Sequence, residues 1–172
     1  RMRRSWVKNC VAIGLSSGFI EPLEATAIYM IESAARWLVR HFPDKAISPA
    51  LSKNFNKFTN TLYEEVRDFI VMHYYSSNRP EPFWVAARQE IELPDSLRER
   101  LELWRYTMPS IIDTSGDRLF DYWNYLCVLY SKGYFRDVSY PMEGSINRPE
   151  WEQFSKRLVN HRRRLVDGLP DH

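Results

Sequence analysis

The feature that most constrains the fold is a long series of apolar side chains at helical spacing within residues 51–73. Its members are Leu51, Phe55, Phe58, Leu62, Val66, Phe69, Ile70 and His73. Because residues three or four apart share one face of an α-helix, this spacing predicts a single amphipathic helix of about six turns. Ser48 followed by Pro49 is typical of a helix start, and two prolines within residues 78–82 end it.

Further helices are predicted on both sides of this segment. A second apolar series predicts a helix that starts near Pro22 and ends at Pro43; its members are Ile28, Ile31, Ala35, Leu38 and Phe42. Shorter helices are expected over residues 83–88, 94–104 and 119–129, and the last of these is apolar and aromatic throughout and therefore expected to be buried. A final helix begins at a capping-box-like sequence, residues 147–150, and its apolar residues are Trp151, Phe154, Leu158 and Leu165.

Residues 7–13, VKNCVAI, are rich in β-branched side chains and favour a strand of roughly six residues. A lone strand cannot satisfy its own backbone groups, so we expect it to pair with strands upstream. The chain also starts with Arg1 rather than Met, and we expect upstream sequence to be missing. The predicted fold class is mainly α, with one or two strands near the N-terminus.

Composition excludes several classes of protein. The formal net charge is only +2, too balanced to indicate a nucleic-acid binder. No apolar run approaches the ~18 residues of a membrane span, and no secretory signal is recognisable. Two cysteines, Cys10 and Cys127, cannot form a disulfide framework, and we expect buried free thiols in a cytoplasmic protein.

Metal chemistry is not indicated. The four histidines never stand four residues apart, and no CxxC or HExxH occurs, so no metal site is predicted. His73 lies on the apolar series and is interpreted as a hydrogen-bonded core residue. The arginines at 162–164 are interpreted as a solvated face, with a docking patch for an acidic partner as the alternative.

The segment 14–27 combines small residues, a proline and two carboxylates between the predicted strand and helix. Small residues allow a flat ligand to approach the backbone closely. The N–H groups at the helix start can bind an anion. A tight turn with an acidic first helical turn is the alternative, because the helix dipole favours acidic residues there.

Residues 6–28, WVKNCVAIGLSSGFIEPLEATAI, resemble the C-terminal signature of flavin-dependent tryptophan halogenases. A second resembling block is RDFIVMHY at 67–74, followed by Arg79 and by PFW at 82–84. The resemblance implies that residues 1–172 are the helical C-terminal fragment of a flavin-monooxygenase-like α/β halogenase. Residues 7–42 would line the flavin and halide site, and residues 48–172 would form the helical substrate side.

The resemblance also implies the chemistry. In the family, reduced FAD and oxygen oxidise chloride or bromide to hypohalous acid, which reaches a lysine near the bound arene. The catalytic glutamate corresponds to Glu24, which orients the halogenating species or accepts the ring proton. Halide contacts correspond to the Thr26 and Ala27 N–H groups, and flavin contacts to Leu15 and Ile28. Glu21 and Pro22 are interpreted as shaping the turn.

Other expectations from the resemblance concern the substrate and partners. Asn124 matches the family's substrate-binding amide, and Phe120, Trp123 and Leu126 around it are interpreted as core. The substrate is a tryptophan-like arene, a flavin reductase supplies reduced FAD, and a homodimer is one option.

This chain departs from the family in Ala25, where many members have serine, and in Ala27, where glycine is usual; the backbone donors survive both changes. The family's glycine-rich FAD fingerprint is absent from this sequence. Lys8 does not match the family's catalytic lysine, which lies upstream in the family. The chain alone is therefore expected to be inactive. A flavin-dependent hydroxylase and a non-catalytic helical interaction module or remnant are the alternatives.

Overall fold

The computed structural model describes residues 1–114 and 119–169, and of Glu24 the backbone alone. The described residues form two compact units, Arg1–Asp137 and Val138–His172. They contain six α-helices: α1 (Thr26–Arg40), α2 (Pro49–Tyr75), α3 (Pro82–Glu90), α4 (Asp95–Leu103), α5 (Tyr122–Ser131) and α6 (Arg148–Asp167). Short 3₁₀ turns occupy Gly14–Ser16, Leu23–Ala25 and Pro141–Ser145. The predicted mainly α fold class is confirmed.

The first unit is organised around α2, whose 27 residues give it a length of about 40 Å. The Ser48 hydroxyl caps its start by accepting from the Ala50 N–H at 3.3 Å, as the sequence predicts. Phe55, Val66 and Phe69 on its apolar side are buried. His73 is half-buried, and its Nδ1 lies 2.9 Å from the Phe69 carbonyl oxygen, consistent with the core interpretation.

The strand prediction for residues 7–13 is wrong. Instead, β1 (Trp6–Val7) and β2 (Cys10–Val11) form a small antiparallel hairpin in which Trp6 pairs with Val11 and Val7 with Cys10. Lys8 turns the chain with a φ of +54°. The strand that pairs with Cys10–Val11 is therefore β1 of this chain rather than a strand upstream. The Asn56 side chain of α2 bonds both the N–H and the carbonyl of Trp6, which fixes the hairpin against α2.

Helix α1 is confirmed, although it starts at Thr26 rather than near Pro22. Thr26, Met30 and Ala34 are buried against the rest of the unit. Three other apolar residues of α1 and one just past its end are exposed, and we call them the outer face of α1: Ile28, Ile31, Val39 and Phe42. Helix α1 is thus apolar on two opposite sides, a pattern typical of a helix covered on both.

Helices α4 and α5 complete the core around α2. Phe69 stacks on Phe120 with 3.7 Å between ring centroids and meets Tyr125 edge-on at 5.2 Å. Helix α5 starts at Tyr122, later than predicted, because the Asp121 side chain caps it. The expectation of a helix buried throughout is wrong, since Trp123 is exposed and only one side of α5 packs inward.

Two buried carboxylates on α2 hold neighbouring segments in place. Asp68 Oδ2 accepts from the Ser96 hydroxyl of α4 at 2.5 Å, and its Oδ1 pairs with Arg67 at 2.7 Å. Glu65 Oε1 accepts from the Phe120 N–H at 3.1 Å. These acids attach α4 and the start of α5 to α2.

Both cysteines are exposed, so the prediction of buried thiols is wrong. In the second unit, the Asn147 side chain accepts from the Glu150 N–H at the start of α6, as predicted. The apolar residues of α6 and the arginines at 162–164 are exposed within the described residues. Across residues 1–114 and 119–169, no helix combines the length and apolar character that a membrane crossing requires.

Candidate functional site

The start of α1 is reached through an abrupt change of backbone conformation. Residues Leu23–Ala25 form a 3₁₀ turn, which the Thr26 N–H closes by donating to the Leu23 carbonyl. Ala25 then adopts a left-handed conformation with φ +58° and ψ +23°. This conformation costs a residue with a Cβ about 1–2 kcal/mol. Glu24 and Thr26 therefore lie on either side of a strained residue.

Thr26, the first residue of α1, has an unsatisfied hydroxyl. Its side chain is buried, with 2% exposure. Among the described side chains, Thr26 Oγ1 is the single buried polar atom that has no hydrogen-bond partner. Buried polar groups are almost always paired, so this hydroxyl is an exception among the described side chains.

Glu21 is joined to α2. The Tyr74 hydroxyl donates to both carboxylate oxygens of Glu21 at 2.8 Å. This hydrogen bond, partial burial and the nearby negative charge raise the pKa of Tyr74 above its usual value of 10.0. The interpretation of Glu21 as a turn-shaping residue agrees with this contact.

The small residues of segment 14–18 serve the chain's own packing. Gly14 has a φ of +66°, and a Cβ there would lie 3.1 Å from the Ile31 side chain. At Gly18, a Cβ would lie 2.7 Å from the Arg1 backbone. The close approach that glycine permits at position 18 is therefore made by the segment that begins at Arg1.

An open cavity of about 260 Å³ lies between segment 13–20, three residues of α2 and four residues of α1, namely Ala27, Met30, Ile31 and Ala34. Leu15 and Ala27 are among its lining residues. Its two hydroxyl-bearing small side chains have protein partners: Ser17 bonds Ser5 at 2.7 Å, and Thr59 bonds the Phe55 carbonyl at 3.0 Å. The remaining surface is mostly apolar, which suits an apolar group rather than an anion.

Of the two predicted flavin residues, Leu15 lines this cavity and Ile28 is not among its lining residues. Leu15 is 79% exposed and Ile28 is 70% exposed, and both carry purely apolar side chains. Large apolar side chains with such exposure offer a surface on which a flat ring can pack. Leu15 and Ala27 therefore share this cavity, whereas Thr26 and Ile28 are next to Ala27 only in the sequence of α1.

Asn124 lies in a different element. Its Oδ1 accepts from the Asp121 N–H at 3.0 Å, while Asp121 Oδ1 accepts from the Asn124 N–H at 3.2 Å. This reciprocal arrangement caps α5. The amide therefore has a structural role at the helix start, and its substrate role stays a prediction.

Two residues of the site region are missed by the sequence reasoning. Tyr74 is part of the second resembling block, yet no local signal pairs it with Glu21, because 53 positions separate them. The left-handed conformation of Ala25 has no sequence signal either, since glycine or asparagine usually marks such a position.

Comparison with known proteins gives a consistent result. The family model for tryptophan halogenase matches residues 1–147. Tryptophan 7-halogenase RebH from Lentzea aerocolonigenes is 41% identical over 186 residues, which cover 99% of this chain and 35% of RebH. Tryptophan 6-halogenase ThaL from Streptomyces albogriseolus is 44% identical over 110 residues, covering 63% of this chain and 20% of ThaL.

Solved structures agree with these relatives. BrvH, a flavin-dependent halogenase from Brevundimonas sp. BAL3, has a TM-score of 0.90 at 31% identity, covering 100% of this chain and 35% of BrvH. The chain spans about a third of the length of RebH, and it matches the C-terminal portion.

Proposed function

The chain belongs to the tryptophan halogenase family, and on that basis we propose that it forms the C-terminal part of a longer flavin-dependent halogenase. The complete polypeptide chlorinates or brominates an aromatic substrate such as tryptophan, with reduced FAD, oxygen and halide. The observation that carries this proposal is the folded turn GLSSGFIEPLEATAI, in which Glu24 directly precedes the left-handed residue and the start of α1.

The halide site is assigned to the start of α1, at Thr26 and Ala27. The aligned peptide dipoles of this 15-residue helix favour an anion at its N-terminus. The Thr26 N–H already donates to Leu23. The Ala27 N–H, in the first helical turn, lacks an intrahelical acceptor and is the backbone donor toward the halide.

The flavin ring is assigned to the apolar surface at Leu15 and Ile28. Both side chains are largely exposed, and Leu15 also lines the open apolar cavity, which fits a flat ring. Reduced FAD supplies the activation of oxygen that oxidises the halide. A separate flavin reductase provides the reduced cofactor, and the upstream part of the polypeptide provides the glycine-rich nucleotide site and the catalytic lysine.

Glu24 is assigned the acid–base role in the electrophilic substitution. A carboxylate beside the arene orients the halogenating species or accepts the ring proton, and general-base catalysis contributes about 10²–10⁴ in rate. The placement of Glu24 before the left-handed Ala25 separates it by only one residue from the proposed halide site. The oxidant and the base are thus brought together by a single turn.

The test is Glu24→Gln in the complete polypeptide, assayed with FAD, a flavin reductase, tryptophan and bromide by mass spectrometry. We expect halogenation to fall by about two to four decades. The matched control is Glu32→Gln, an exposed glutamate of α1 that pairs with Arg36 at 2.7 Å and should keep full activity.

Three results would contradict the proposal. Unchanged halogenation in Glu24→Gln would remove Glu24 from the reaction. A hydroxylated product formed without halide would indicate a flavin-dependent hydroxylase. A complete polypeptide that neither binds FAD nor turns over would indicate a helical interaction module.

A further inference from the structure

Arg79 and the PFW sequence at 82–84 belong to the second resembling block and have no part in the site described above. In the structure they form a layered cluster where α2 ends and α3 begins. The Arg79 guanidinium lies 5.2 Å from the centroid of the Trp84 ring, and that ring stacks on Tyr74 at 5.4 Å. Phe83 meets Tyr74 edge-on at 6.3 Å. These contacts fix the orientation of the Tyr74 ring.

The Tyr74 hydroxyl connects this cluster to the turn before α1. It donates to both carboxylate oxygens of Glu21 at 2.8 Å. Among the described side chains, Tyr74 is the one that hydrogen-bonds this carboxylate. The position of Glu21 relative to α2 therefore depends on a single hydroxyl group.

Backbone hydrogen bonds connect Glu21 with the residues that follow it. The Leu23 N–H donates to the Glu21 carbonyl at 2.8 Å, and the Thr26 N–H donates to the Leu23 carbonyl. Leu23 also packs against the core around α2. The Glu24 backbone thus lies in a turn that Tyr74 holds at Glu21 and that ends at the first residue of α1. Because successive short backbone bonds leave such a turn little freedom, a displacement of Glu21 also displaces Glu24.

We infer that Tyr74 is a positioning residue for halogenation: through Glu21 it holds the turn that carries Glu24. This inference rests on the proposed function, in which Glu24 is the acid–base residue. It also gives the second block a role, since Arg79 and Trp84 orient the ring whose hydroxyl binds Glu21. A displacement of a catalytic group by about 1 Å can lower a rate by about 10². A hydrogen bond that contributes little stability can therefore matter for kcat.

The experiment compares three substitutions in the complete polypeptide. Tyr74→Phe removes the hydroxyl and keeps the ring contacts, Glu21→Ala removes the acceptor, and Glu21→Gln keeps one acceptor oxygen. Tyr74→Phe is also combined with Glu21→Ala and, separately, with Glu24→Gln. Mass spectrometry of the halogenated product gives kcat and the KM values for tryptophan and bromide, and thermal unfolding is measured on the same samples. Tyr106→Phe, at an exposed tyrosine after α4, is the matched control.

Tyr74→Phe and Glu21→Ala should each lower kcat roughly 5- to 50-fold, because both release the turn that carries Glu24. Both KM values should stay within about twofold, since neither substitution removes a group that binds substrate or halide. The combination of the two should be no worse than either alone, because both remove the same contact. Glu21→Gln should recover most of the kcat that Glu21→Ala loses, and Tyr106→Phe should keep kcat.

The Glu24→Gln background distinguishes positioning of Glu24 from a general structural role. There, Tyr74→Phe should cause no further loss of kcat, because the group that it positions is already gone. An equal loss in both backgrounds would overturn the inference and leave the proposed function standing. So would an unchanged kcat in Tyr74→Phe, or a loss that appears in KM alone.

Full activity of Glu24→Gln has a different meaning. It would refute the acid–base assignment in the proposed function, and the inference about Tyr74 would fail with it. Should Tyr74→Phe not fold, Glu21→Ala made in the presence and absence of Glu24→Gln provides the same comparison.

Discussion

The Tyr74 hydroxyl and the Glu21 carboxylate are joined by hydrogen bonds of 2.8 Å to both oxygens. Tyr74 stands near the end of α2 and also stacks on Trp84 of α3, with ring centroids 5.4 Å apart. Glu21 stands three residues before Glu24. The contact therefore attaches the turn that carries Glu24 to two helices of the first unit.

Tyr74→Phe removes this donor and keeps the ring contacts. We expect a loss of about 0.5–1 kcal/mol of stability in the complete polypeptide, at the lower end for hydrogen bonds because the pair is solvent-exposed. Urea unfolding measures it. Tyr106→Phe, an exposed tyrosine after α4, is the control and should change stability little.

The same pair predicts a pH dependence. Because Glu21 raises the pKa of Tyr74, the neutral phenol is favoured in the folded state. The contribution of Tyr74 is therefore complete below pH 10 and is lost as pH rises through the elevated pKa. The stability difference between the unsubstituted protein and Tyr74→Phe should stay constant from pH 7 to about 9 and shrink above pH 10. A difference that shrinks already at neutral pH would contradict this assignment.

Phe69→Ala tests the aromatic core. Phe69 is buried between Phe120 and Tyr125, and removing a buried ring costs about 3–5 kcal/mol because a cavity remains. Phe83→Ala, on an exposed side of α3, is the matched control and should cost about 0.5 kcal/mol. Chemical denaturation compares the two. Equal losses would mean that the core lies elsewhere than in this cluster.

Asn124→Ala separates the capping and substrate roles of this amide. Both Asn124 and Asp121 cap α5, so Asp121→Ala reproduces the loss of the cap alone, at about 1 kcal/mol. A substrate role predicts that Asn124→Ala raises KM for tryptophan about tenfold or more beyond Asp121→Ala, as the loss of one hydrogen bond allows. Identical effects of the two substitutions on KM and on stability would leave Asn124 as a cap only.

The outer face of α1 predicts the behaviour of the 172-residue chain by itself. Exposed apolar side chains occur on α1 at Ile28, Ile31 and Val39 and just past its end at Phe42, and such surfaces promote association. We expect the chain to bind an apolar dye and to self-associate in light scattering. The double substitution Val39→Lys with Phe42→Lys should reduce both.

The control for this prediction adds the same charge elsewhere. Ile111→Lys with Ile112→Lys places two lysines on an exposed loop outside the outer face of α1. Association that falls equally in this control would indicate a general effect of net charge. Association that falls only with the α1 substitutions would show that the chain associates through the outer face of α1.

Particular residues explain which structural features can be predicted from the sequence and which cannot. The extent and the buried side of α2 follow from one uninterrupted apolar series. Because the series keeps the helical spacing over many turns, it fits only one helix and one buried face. On α1 both sides are apolar, so spacing alone cannot distinguish the face that packs on α2 from the one that does not. The hairpin depends on a positive φ at Lys8, and lysine carries no signal for it. The Tyr74–Glu21 contact depends on tertiary structure and is invisible to any local pattern.

The left-handed conformation of Ala25 also restricts which amino acids can occupy position 25. A positive φ is tolerated by glycine and asparagine and opposed by β-branched side chains, whatever chemistry surrounds the position. A saturation library at residue 25 should therefore return active clones of only a few amino-acid types. No such restriction on φ applies at Ala27, where the backbone is helical.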